Sequence, residues 1–191
     1  MNQSRLKEFQ RGEFRDPTHF LRELRALELK VASSSLNARA KHLRTNNLKG
    51  WREAREAALF CYGMAQRIGQ PIYLSRGESQ DYDFVATWVV GDEQHFAPVQ
   101  LKEVVPESLN PNSSLEKVIE SLTTKYVDSK DLTVAIHLNR QVHFEPKKLV
   151  IPHLRIAALW VFASISPDQS EWGLWGNFLE QPEGTRFTYP T

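Results

Sequence analysis

Asp83, Gln100 and Lys102 are the residues of this chain whose types and spacing point to chemistry. They fall in the stretch from Tyr82 to Val105, YDFVATWVVGDEQHFAPVQLKEVV. Residues 85 to 90 are rich in β-branched and aromatic side chains, Gly91-Asp92 is a two-residue turn signal, and residues 96 to 105 are apolar again, so a β-hairpin is predicted. With Val90 opposite Glu93, Asp83 faces Gln100. Alternation across the strand sends Gln100 and Lys102 to the face of Asp83, and Leu101 and Glu103 to the other. Pro98 has no N–H to donate and is the place where a bulge would shift this register by one. A carboxylate and an amide oxygen can hold a hard divalent cation, while a nearby ammonium orients a water or stabilises charge developing on a phosphate. Glu78 and Asp81, in the loop before the hairpin, are within reach of such a cation, although loop acids commonly serve only as turn residues.

An acid early in one strand, followed on the next by an acid or amide, one apolar residue and a lysine, resembles the PD-(D/E)XK nuclease superfamily. Tyr82-Asp83-Phe84 is similar to the PD half, with Tyr in place of Pro, and Gln100-Leu101-Lys102 to the (D/E)XK half, with Gln in place of the acid. The resemblance implies an α/β protein of restriction-endonuclease-like fold, an αβββαβ core around a mixed sheet. It also implies an endonuclease cleaving DNA with Mg²⁺ or Mn²⁺. On that pattern Asp83, the Leu101 carbonyl and a glutamate from the preceding helix bind the cation, Gln100 ligates it or positions its water, and Lys102 assists attack on the phosphodiester.

Glu53 and Glu56 are the helix candidates. Glu56 lies at the more familiar distance from the helix-ending Gly69, but at 100° per residue Glu53 flanks Ala54 on the buried side while Glu56 lies nearly opposite it, and either one alternatively pairs with Arg52 or Arg55. The neutral Gln100 brings one negative charge fewer to a cation than the usual acid. Two other readings therefore stay open. One is the same fold kept as a nucleic-acid-binding or protein-interaction module without turnover. The other is an unrelated α/β protein in which Asp83 and Lys102 form only a buried ion pair.

The elements that must position these residues follow from periodicity. Asp16-Pro17 starts a helix whose apolar residues Phe20, Leu21, Leu24, Leu27 and Val31 carry it to about Ala32, and residues 36 to 43 are a further short helical segment. Residues 51 to 68 form a helix with Ala54, Ala58, Cys61, Tyr62, Ala65 and Ile68 as its apolar stripe, ended by Gly69-Gln70-Pro71. Residues 72 to 74 are a short strand, and Ser113 or Ser114 caps a helix through Leu115, Val118, Ile119, Leu122 and Tyr126. Residues 132 to 138, LTVAIHL, are a strand buried on both faces. The order from Trp51 is thus helix, three strands, helix, strand. Further strands are predicted at 147 to 152, 157 to 165 and 171 to 178, with an irregular tail from Leu179. Residues 1 to 50 are a basic helical extension and 51 to 191 the nuclease-like domain, its core at 51 to 139.

Composition narrows the function classes. The 191 residues, 41% of them hydrophobic, suffice for one well-buried core. A single cysteine, Cys61, excludes an intrachain disulfide framework, and its place on a helix stripe marks it as a packed residue. No apolar run reaches membrane-spanning length and the first residues lack a signal-peptide apolar region, so a cytoplasmic location with no membrane partner is expected. Residues 1 to 52 hold twelve Lys/Arg against five Asp/Glu, a balance of +7, against −6 for the remainder. Arg39, Lys41 and Arg44 are the candidates there for a nucleic-acid backbone, or else an ordinary solvated face. The six histidines, His19, His42, His95, His137, His143 and His153, show no metal-ligand spacing and read as surface or packed residues. Trp160, Trp172 and Trp175 in the C-terminal strands either stack on bases or pack against the core or a partner subunit, which leaves a homodimer open.

Overall fold

Asp16 opens the first long helix by accepting the Thr18 N–H at 2.8 Å, with Pro17 supplying the fixed φ of the first helical position. In the computed structural model, which describes residues 3–32, 48–76 and 81–191, that helix is α2 (Pro17–Ala32), preceded by α1 (Gln3–Gln10). The predicted helical segment at 36 to 43 lies outside the described residues. Helix α3 (Lys49–Ile68) begins two residues before its predicted start and ends on Gly69, whose left-handed φ of 69° lets its N–H close on the Ala65 carbonyl. Helix α4 (Leu115–Lys125) is capped by Ser114, which accepts the Lys117 N–H at 3.3 Å.

Seven strands form one mixed sheet in sequence order: β1 (Tyr73–Arg76), β2 (Phe84–Val90), β3 (Glu93–Val104), β4 (Ser129–Leu138), β5 (Ile156–Ser164), β6 (Glu171–Gly176) and β7 (Glu183–Thr188). β1, β2 and β3 pair antiparallel, β3, β4 and β5 pair parallel, and β5, β6 and β7 pair antiparallel. The chain is therefore of the α/β class. The hairpin has the predicted register, Val90 opposite Glu93 through to Phe84 opposite Val99, and Pro98 pairs with Val85 without a shift. Pro98 lies just ahead of Val99, where the parallel ladder to β4 begins.

Two predictions for the C-terminal region are corrected. Residues 147 to 152 form no strand; a short 3₁₀ turn (Pro146–Lys148) leads into irregular chain, in which Leu149 and Ile151 pack partly against the core while Val150 is 85% exposed. The tail is not irregular throughout, because β7 adds an edge to β6. Gly184 disguised it: a Cβ there would lie 2.9 Å from the Trp175 ring, so this glycine serves close packing and not a turn.

Apolar residues divide between the two faces of the sheet. Helix α4 packs on one face with Val85, Val104, Val134, Ile136 and Val161, joined by Phe9 from α1. Helices α2 and α3 cover the other, against Phe84, Val99, Leu101, Ala135, Phe162 and Trp172. Leu21 of α2 is fully buried, and the Tyr189 hydroxyl donates to its carbonyl at 3.1 Å, so the N-terminal helices are packed parts of this body. Trp160 and Trp172 are buried as packing residues, and Trp175 stands edge-on to Phe144 at 5.1 Å. Cys61 is fully buried, and its surroundings push the thiol well above its usual range. Among the described residues, no helix is long and apolar enough to cross a membrane.

Candidate functional site

Where β2 begins, the side chain of Asp83 folds onto β3. Its Oδ2 accepts the Leu101 N–H at 2.6 Å and a second hydrogen bond from the Gln100 Nε2, while the Asp83 N–H donates to the Val99 carbonyl at 2.9 Å. The Gln100 amide also donates to the Leu101 carbonyl at 3.3 Å. Lys102, two residues on and therefore on the same face, places its Nζ 5.7 Å from the centre of the Tyr126 ring, and Lys125 approaches that ring at 5.5 Å. The pairing of Val99 with Phe84 and the alternation along β3 produce this arrangement, as the turn at Gly91 predicted. Asp83 and Lys102 are not in direct contact, so they do not form the buried ion pair considered above.

Electrostatics separate the two groups. Burial raises the pKa of Asp83 and the charge of Glu53 raises it further, against the Leu101 N–H, Lys102 and Gln100, which favour the carboxylate. Burial pushes Lys102 down to about 8, and the neighbouring Lys125 reinforces the effect. Lys125 moves the other way, because as an ammonium it can donate to the Lys102 amine. Tyr126 is raised chiefly by burial. A lysine poised near 8 can hold and release a proton near neutral pH, beside a half-buried carboxylate on the same face.

A second polar group lies on the opposite face. Glu56 of α3 sits 3.2 Å from Nδ1 of His137 on β4, and Glu103 of β3 completes a set whose ligand atoms lie within 4.8 Å of one another. The parallel ladder makes this meeting possible by pairing Glu103 with His137. Glu56 is 5% exposed and His137 4%. This buried group could hold a metal ion. Glu56 thus goes to His137 and not to Asp83; of the two helix glutamates, Glu53 is the one whose charge acts on Asp83, and it also pairs with Lys49 at 3.4 Å. His137 and Glu103 were not selected in the sequence. A histidine in LTVAIHL, a strand buried on both faces, was the available signal, since a buried imidazole requires a partner.

Arg39, Lys41, Arg44 and Glu78 lie outside the described residues, and Asp81 is exposed beside Tyr82. A cleft of about 750 Å³ opens near β1 between Phe20, Trp51, Arg15 and Arg76. Its lining includes Glu13 and Asp16 against those two arginines, so it has no excess positive charge to attract a phosphate backbone. No protein-family model, curated protein or solved structure matches the chain.

Proposed function

We propose that this protein is a metal-dependent phosphodiesterase of nucleic acid, with DNA the first substrate to test and Asp83, Gln100 and Lys102 as its active site. The observation that carries this reading is the placement of all three on one sheet face, with Gln100 hydrogen-bonded to the Asp83 carboxylate and Lys102 within reach of its charge. Element order supports it: α3, β1, β2, β3, α4 and β4 follow the αβββαβ order that the nuclease resemblance implies, and the parallel β3–β4 pair makes the sheet mixed.

The donor set suits a hard cation. Asp83, the Leu101 carbonyl and the Gln100 amide offer oxygens, and Glu53 adds negative charge nearby, which fits Mg²⁺ or Mn²⁺. Such an ion would polarise a phosphoryl oxygen and acidify a water. Gln100 has to turn its amide to present its oxygen to the cation, because its nitrogen now faces Asp83. Lys102 as a neutral amine accepts a proton from the attacking water, and as an ammonium it offsets charge on the phosphate; Lys125 lies beside it to exchange that proton.

One observation favours a second reading, the same fold as a binding module. The Gln100 amide already satisfies Asp83 and the Leu101 carbonyl without any cation. The two readings divide on turnover. Plasmid DNA, single-stranded DNA and RNA are incubated with Mg²⁺ or Mn²⁺ and wild type, Asp83→Ala or Lys102→Ala. Cleavage by wild type that both substitutions abolish is expected. Binding without cleavage assigns the module, and cleavage that survives both substitutions removes the active site from Asp83.

A further inference from the structure

We propose that Glu56, Glu103 and His137 bind one divalent transition-metal ion, with Zn²⁺ as the reference ion, at a centre separate from the Asp83 group. The three ligands come from α3, β3 and β4 and project from the sheet face opposite Asp83 and Lys102, because Glu103 and His137 occupy the alternate positions of their strands. The proposal does not depend on the phosphodiesterase reading.

Geometry, donor chemistry and support point the same way. Ligand atoms around one zinc ion stand roughly 3 to 3.5 Å apart, given metal–ligand distances of about 2.0 to 2.2 Å. The Glu56 Oε1 to His137 Nδ1 distance of 3.2 Å, a hydrogen bond in this structure, already matches that spacing, and with Glu103 the ligand atoms lie within 4.8 Å of one another. Two carboxylates with one imidazole select a borderline metal, whereas Mg²⁺ and Ca²⁺ prefer oxygen alone. His137 and Glu103 are held in place by their neighbours. The imidazole lies parallel to Phe162, ring centres 5.0 Å apart and 12° between planes, with Trp172 at 5.7 Å. Glu103 accepts a hydrogen bond from Asn139 Nδ2 at 2.8 Å, the kind of outer contact that orients a metal-binding carboxylate.

Burial supplies the energetic motive. A glutamate 5% exposed on the sheet-facing side of α3 gives up its hydration, and a divalent ion shared with His137 and Glu103 returns it. The bound ion would also fasten α3 to the centre of the sheet, since the ligands join one helix to two parallel strands. Glu103 is half-buried, which leaves a side from which water completes the coordination.

The experiment uses the full chain, stripped with a chelator and freed of it, then titrated with Zn²⁺ by calorimetry and with Co²⁺ by visible absorption. Wild type is expected to bind one tight equivalent with a Co²⁺ d–d spectrum, and an ion at the oxygen-donor Asp83 group counts as a separate, weaker equivalent. His137→Gln and Glu103→Gln are each expected to lose about tenfold or more in affinity. Asp83→Ala is expected to keep the tight equivalent and its Co²⁺ spectrum, whatever it loses at the Asp83 group. Far-UV circular dichroism checks each variant, and if His137→Gln does not fold, the half-exposed Glu103→Gln decides. Three results overturn the proposal: no tight binding by wild type, unchanged tight binding by Glu103→Gln, or loss of the tight equivalent in Asp83→Ala alone, which moves the ion to the Asp83 group.

Discussion

At the scale of single residues, Gln100 is the pivot, because it supplies a donor where the resemblance expects a metal-binding acid. Its amide nitrogen donates to Asp83 and to the Leu101 carbonyl, both of which are acceptors. Gln100→Glu replaces that donor with a second carboxylate against the first. Without metal the variant should lose about 1 to 3 kcal/mol, the cost of leaving buried polar groups unpaired. With Mn²⁺ it should regain stability by mass action, and by more than wild type gains. Thermal unfolding of both proteins with and without millimolar Mn²⁺ checks this, and no response from either protein would remove the metal from this group.

Lys102 gives the residue scale a pH dependence. Its pKa in the folded chain is lowered from 10.5 to about 8, so the folded state releases this proton before the unfolded chain does. The sign follows: the lysine opposes folding most below about pH 8, and the penalty is relieved as pH rises from there towards 10.5. If the neutral amine is the base, cleavage should rise through pH 8. Removing the neighbouring charge with Lys125→Met should raise the Lys102 pKa and move that profile to higher pH. A pH–rate profile of the two proteins reads this out, and coincident profiles would exclude Lys102 as the titrating group.

At the scale of elements, helix α3 shows how packing overrides propensity. Gly63 lies inside the helix, where alanine is worth roughly 1 kcal/mol more. A Cβ at that position would stand 2.6 Å from the Phe187 ring, which is buried between Tyr62 and Trp172 and has nowhere to retreat. Overpacking costs about 1 to 3 kcal/mol, so Gly63→Ala should be net destabilising by up to about 2 kcal/mol in urea unfolding. A stabilised variant would show that β7 is not seated against α3.

The hairpin was readable in the sequence because its information is local: Gly91 takes a φ of 59° that a tight turn needs, and the strand period of two then fixes Asp83 opposite Gln100. The helices were readable for the same reason, through Asp16, Ser114 and Gly69 at their ends. The Glu56–Glu103–His137 group was not. Its members are brought together by the parallel register of β3 on β4 and by the rotation of α3, neither of which any nearby residue encodes. Periodicity misplaced the two helix glutamates: a strict 100° step sets Glu53 beside the buried stripe and Glu56 nearly opposite it, whereas Glu56 is the buried one and Glu53 pairs with Lys49 nearer the surface, because α3 packs on the sheet through a wider face than the stripe Ala54 to Ile68.

At the scale of the whole molecule, the sheet separates two polar groups. One face, under α4, carries the carboxylate, amide and lysine proposed to act on phosphodiesters; the other, under α3, carries two glutamates and a histidine. Residues 1 to 52 carry a balance of +7, part of it on Arg39, Lys41 and Arg44 outside the described residues. Asp83 is the residue on which the proposed activity turns. Asp83→Asn keeps its size and removes its charge, so the decisive measurement is nicking of supercoiled plasmid in Mn²⁺ at pH 8 by wild type and by this variant. An active site at Asp83 predicts a wild-type rate that falls by about a hundredfold or more in the variant, whereas no nicking by wild type, or equal nicking by both, would contradict it.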